Sequence, residues 1–96
     1  MIKPIIHLNG TSGQELADGY LAAYTAVNDA LDAIRQIEFN ARDYYPIGMD
    51  KWVEAQQEMT ARIAALQKVS TEFLDLAIHC QNIVDARAAR SQERYA

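Results

Sequence analysis

Apolar residues recur at alternating steps of four and three along two stretches of the chain, and the positions where those stretches start and stop define its architecture. In the first stretch Leu16, Tyr20, Ala23, Val27, Ala30, Ile34 and Ile37 mark one face of a helix, and Ala17, Leu21, Tyr24 and Leu31 widen it. A stripe wider than a two-position seam implies contact with more than one neighbouring helix, as in a bundle. Ser12 followed by Glu15 has the spacing of a capping box, so this helix is expected over 13–39. Residues 40–49 contain Pro46 and Gly48 and read as an interhelical loop. A second helix is expected over 50–93. Its buried face is Trp52, Met59, Ile63, Leu66, Phe73, Ala77, Cys80 and Val84, with Gln56 and Ser70 as polar interruptions.

At 1.5 Å per residue the two helices are about 38 and 65 Å long, so the second overhangs by about 27 Å. An extended arm, residues 1–11, includes Ile2-Lys3-Pro4-Ile5-Ile6 and reaches far enough to cover that overhang; another subunit would serve as well. The pattern therefore predicts an all-α fold. It is a single-domain helical hairpin with a short first helix, a long second helix and an extended N-terminal segment, assembling into an oligomeric helix bundle. Oligomerisation is expected because a chain of 96 residues gains little core alone.

Half the residues are hydrophobic and 23% are charged, a globular composition. The net charge of −4 argues against general nucleic-acid or anionic-membrane binding, both of which need clustered Lys and Arg. One cysteine, Cys80, excludes an internal disulfide framework and fits a reducing compartment. No apolar run approaches the roughly 18 residues of a membrane span, and Met1 to Leu8 is too short for a secretory signal, so a cytoplasmic location is expected.

Two polar clusters flank the first helix: His7-Leu8-Asn9-Gly10-Thr11-Ser12 before it and Arg42-Asp43-Tyr44-Tyr45-Pro46 after it. The plain reading is a turn into a cap and a braced loop. The residue types also suit binding. Arg42 offers a bidentate fork for phosphate or carboxylate, Tyr44 and Tyr45 offer stacking faces, and the first-helix N–H groups attract anions. His7, Asn9, Gly10, Thr11, Arg42, Asp43, Tyr44 and Tyr45 are thus the candidate residues for a small anionic ligand. One helix holds the clusters about 38 Å apart, but an antiparallel subunit contact would place the first cluster of one chain beside the second of its neighbour.

Other groupings carry less. His79 and Cys80 adjoin, with His7 within conceivable reach, but there is no CxxC or HxxxH spacing and Cys80 sits on the core seam, so no metal is expected. Asp29 and Asp32 lie toward solvent without a Glu-x-x-His partner. Tyr20 and Tyr24 read as core, Trp52 as packing for the hairpin end, and Arg87, Arg90 and Arg94 as partners of the helix dipole. No nucleophile, base and oxyanion donor assemble, so neither an enzyme nor a cofactor is expected. Trp52-Val53-Glu54 lacks the Gly of the Trp-x-Gly mark of secreted helical hairpins.

The pattern His7-Leu8-Asn9-Gly10-Thr11-Ser12, a helix, then Asn40-Ala41-Arg42-Asp43-Tyr44-Tyr45-Pro46 resembles a group of small phage and prophage proteins of unassigned function, over roughly three quarters of the chain. Ala41 stands where those proteins more often carry Gly. The resemblance implies a phage gene product working in the host cytoplasm. Small helical phage proteins include oligomeric sponges that bind nucleotide immune signals without cleaving them, and by analogy of class this chain is expected to sequester a nucleotide-like ligand. The alternative is a helical inhibitor or accessory protein, without a small-molecule site, that docks on a host defence or virion protein.

Overall fold

The computed structural model describes residues 1–7, 10 and 12–95, with side chains described as far as residue 91. Helix α1 spans Gly13–Arg35 and helix α2 spans Met49–Tyr95, joined through two 3-10 turns at Ala41–Asp43 and Tyr45–Ile47. The helices run antiparallel: Gly13 lies against Val84, and Asn28 bonds to Ser70. The described residues contain no strand. The hairpin with a short first and a long second helix is therefore as expected, drawn out to 72 × 23 × 19 Å.

Helix α1 starts where Ser12 Oγ accepts a hydrogen bond from the Glu15 N–H at 3.1 Å. It stops at Arg35, four residues short of the expected end, with the Gln36 N–H bonded to the Ala33 carbonyl and the Ile37 N–H to the Ile34 carbonyl. Phe39 accounts for the early stop. Off the helix its ring lies 4.9 Å from that of Trp52 and 5.8 Å from that of Tyr44, which is itself 5.5 Å from Trp52. Each aromatic pair contributes about 0.5–1.5 kcal/mol beyond its buried area, more than a frayed final turn returns. Trp52 thus packs the hairpin end. The Asn40 side chain caps the first 3-10 turn through the Arg42 N–H at 3.2 Å. Pro46 opens the second turn, and Gly48 at φ +114° reverses the chain into α2, one residue sooner than expected.

The heptad-like repeat of α1 is present but in another phase. Gly13, Ala17 and Leu31 are buried and Tyr20, Tyr24, Val27 and Ile34 half-buried, whereas Ala30 and Ile37 are exposed. The deepest part of the seam therefore runs through Ala17, Tyr24 and Leu31, expected only to widen it, while Leu16 and Ala23 are half-buried beside it and Leu21 is exposed. Small side chains at Gly13 and Ala17 allow α2 to approach closely: a Cβ at Gly13 would stand 2.8 Å from Val84 Cγ2. Tyr20 stacks on Phe73 at 6.2 Å. Ser70 is 6% exposed and donates to Asn28 Oδ1 at 2.8 Å, so the polar interruption of the seam is satisfied from α1. Gln56 is exposed, and Ala55 takes its place on the inner face.

The arm docks on α2. His79 Nε2 donates to the Pro4 carbonyl at 2.9 Å and Arg87 Nη2 to the Ile6 carbonyl at 2.7 Å. Arg87 thus straps the arm down, a role beyond the helix dipole. The Ile6 side chain is buried with Ala17 and Cys80. The arm lies along α2 from His79 to Arg87, level with the start of α1, and leaves residues 88–91 exposed, whereas the connection from Gln36 to Gly48 covers the other end of the overhang.

Candidate functional site

The double 3-10 bend sets out the second cluster. Its path is fixed at three points, the Asn40 cap, Pro46 and Gly48, which leaves Arg42, Asp43 and Tyr45 exposed on its outer side. Tyr44 also packs: its ring is half-buried against Phe39 and Trp52, and it borders the groove beside the bend.

Arg42 differs from most arginines of the chain. Arg35 pairs with Asp32 at 3.4 Å, Arg62 with Glu58 at 3.3 Å, and Arg87 holds Ile6. Among the described residues the Arg42 guanidinium has no such partner, although its backbone N–H is pinned by Asn40. A positioned backbone with an unpaired fork is the arrangement a planar anion needs.

At the other end of α1, His7 and Gly10 are exposed, and the Gly10 N–H donates to the His7 carbonyl at 3.2 Å. The His7 ring lies over Gly10, where an added Cβ would stand 2.9 Å from Nε2. Asn9 and Thr11 lie outside the described residues. Helix α1 begins at Gly13, where Ser12 accepts from the Glu15 N–H. The 23 residues of α1 separate this end from Arg42 by about 34 Å, so one chain does not unite the two clusters.

Two grooves escaped the sequence reading. One, of about 410 Å³, adjoins the second cluster: Ile37, Phe39, Ile47 and Met59 floor it, with the Lys51–Glu54 and Arg62–Glu58 pairs on its rim. Its signal was the set of apolar residues left over in the loop. The other, of about 580 Å³, lies at mid-hairpin among Tyr24, Asn28, Arg35, Gln67 and Thr71, so Tyr24 borders a polar groove as well as the core.

Cys80 has 0% exposure, and burial pushes its thiol pKa up. Its neutral form is thereby favoured, as befits a packing residue. His79 serves the arm, and His7 lies over Gly10. No group of three His, Cys, Asp or Glu side chains among the described residues is placed to hold a metal. No helix among them is long and apolar enough to cross a membrane. No protein-family model, curated protein or solved structure matches the chain.

Proposed function

We propose that this is a non-enzymatic, oligomeric phage-type protein that binds and sequesters a small anionic, nucleotide-like ligand in pockets shared between subunits. The observation that carries the reading is Arg42: fixed at its backbone, exposed and without a side-chain partner among the described residues, beside the exposed Asp43 and Tyr45. The fork suits a phosphate, the Tyr45 ring suits stacking, and the Asp43 carboxylate accepts from a sugar hydroxyl or a base N–H. The His7–Gly10 turn and the start of α1, supplied by a second subunit, add donors for a further phosphate. Neither cluster alone encloses a ligand. Joined across a subunit boundary they form a cleft with cationic, aromatic and N–H groups on facing walls.

Calorimetry with cyclic dinucleotides and ADP-ribose-type nucleotides tests this directly. A charge-assisted bond contributes about 1.5–3 kcal/mol, so Arg42→Ala is expected to weaken binding about ten- to a hundredfold. Thr11→Ala and Arg42→Ala proteins each bind poorly, and mixing them with subunit exchange restores a fraction of intact sites. Absence of nucleotide binding by the wild type, or unchanged affinity in folded Arg42→Ala protein, removes the reading. A second reading rests on the exposed Ile37, Tyr45, Ile47 and Met59-floored groove at the same end, a surface suited to an apolar segment of a host defence or virion protein. Ile47→Asp then abolishes capture of that protein and spares nucleotide binding.

A further inference from the structure

Helix α2 carries a second repeat in steps of four and three, on a flank of the helix where Gln67, Thr71 and Leu74 also border the mid-hairpin groove beside α1. It runs through eight positions from Val53 to Ile78. Seven are exposed, Leu74 is half-buried, and none is charged. At 100° per residue this stripe lies about 100° around the helix from the seam that holds Trp52, Ser70 and Ala77, and it extends about 38 Å. Glu54, Glu58, Arg62, Lys68 and Glu72 stand off it, and Asp75 is the one charged group at its edge, at the same angle around the helix as Gln57. A solvated face of a long helix has no reason to exclude charge over that length, whereas a seam against another helix does.

The protein also exposes more surface than its mass accounts for. Its accessible area is 7200 Å², against about 5500 Å² for a compact monomer of 10.8 kDa. Its radius of gyration is 20.7 Å, against about 12.5 Å. The excess of about 1700 Å² is roughly twice the 800 Å² that each partner contributes to a standard interface.

We infer that two copies of this chain pair antiparallel through this uncharged face of α2, about a two-fold axis level with Ala65 and Leu66. The stripe is self-complementary in that register. Val53 opposes Ile78, Gln57 opposes Leu74, Thr60 opposes Thr71, and the small Ala64 makes room for Gln67. Antiparallel pairing also sets the two helix dipoles in opposition. The same register, continued outward, brings Ile47 of one copy to the level of Val84 in the other. Val84 touches Gly13 at the start of α1, so the second cluster of each chain arrives level with the first cluster of its partner. The stripe alone sets this register. Its consequence for a shared ligand pocket rests on the function proposed above.

Disulfide trapping in a Cys80→Ala background tests the register. Thr60→Cys mixed with Thr71→Cys is expected to give a covalent dimer under mild oxidation. Neither variant alone should do so, because each cysteine and its own symmetry copy stand eleven residues out of register, about 16 Å apart, beyond disulfide reach. Ala64→Glu sets two carboxylates beside the axis and should raise the dimer dissociation constant at least tenfold by sedimentation with helical ellipticity unchanged. Efficient cross-linking by Thr60→Cys alone overturns the antiparallel register. A helical monomer at tens of micromolar, or a dimer that the mixed cysteines do not trap, overturns the surface. If the trapped dimer forms but binds no nucleotide, the pairing stands and only the ligand reading falls.

Discussion

Cys80 sits beneath the arm, and its reactivity is a gauge of how often the arm lifts. The thiol has no exposure, and its cover includes Ile6, held in place by the bonds from His79 and Arg87. A thiol reagent acts on the thiolate of the opened form, so when closing is fast the labelling rate equals the opening constant times the intrinsic rate. Truncating a buried Ile to Ala costs about 2–5 kcal/mol in a full core. Ile6 packs at the core's edge, so the lower figure of about 2 kcal/mol applies, and Ile6→Ala should label about thirtyfold faster than the wild type. Arg87 is exposed along most of its length, so losing its bond costs about 1 kcal/mol, and Arg87→Ala should label about fivefold faster. The assay is native-state labelling across low urea concentrations. Arm opening exposes little surface and should show a shallow urea dependence, far below that of global unfolding. Equal rates in wild type and Ile6→Ala would show that the arm does not cover the thiol. A urea slope in wild type matching global unfolding would also refute the reasoning, because Cys80 would then be uncovered only when the whole hairpin opens.

Two further predictions follow from buried groups. Because burial raises the Cys80 pKa in the folded chain, this thiol contributes stability that is fully present below its unfolded value and is lost as pH rises toward its folded value. The urea midpoint of the wild type should therefore fall more between pH 7 and pH 10 than that of Cys80→Ala, and parallel falls would contradict it. In a double-mutant cycle on Asn28 and Ser70, Asn28→Ala should cost about 1–2 kcal/mol by stranding the buried Ser70 hydroxyl. Asn28→Ala and Ser70→Ala together should cost less than the sum of the two, and strict additivity would mean that the 2.8 Å bond contributes nothing.

The helices were legible in the sequence because their cues are local: the Ser12 cap, the repeat of four and three, and the break at Pro46 and Gly48. The phase of α1 was less so. A repeat containing Tyr20, Val27 and Ile34 fits two seams, one through Leu16, Ala23 and Ala30 and one through Ala17, Tyr24 and Leu31. Hydrophobicity favours neither, and close backbone approach at Gly13 and Ala17 decides for the second. The early end of α1 was hidden for a similar reason, since Phe39 keeps helical spacing but finds its partners across the loop. Ser70 looked like a defect until Asn28, 42 residues away, supplied its acceptor. Of the candidate site, the exposure of Arg42, Asp43 and Tyr45 agrees with residues chosen for contact. The structural use of Tyr44 depends on a knot of three rings that no linear pattern reveals.

The arm's bonds have a consequence for how the molecule is made. They join Pro4 to His79 and Ile6 to Arg87, separations of 75 and 81 residues, whereas the aromatic knot joins Phe39 to Trp52 within one loop. Synthesis delivers the arm first and its berth on α2 long afterwards. The knot is local and can close early, but Ile6 has nowhere to go until residues 79–87 have emerged. Until then each nascent chain carries an apolar arm that fits the same berth on any nearby copy whose own arm has not yet docked. Neighbouring chains on one message are thus placed to exchange arms at birth, and how closely they are spaced becomes a determinant of which chain each arm finally belongs to.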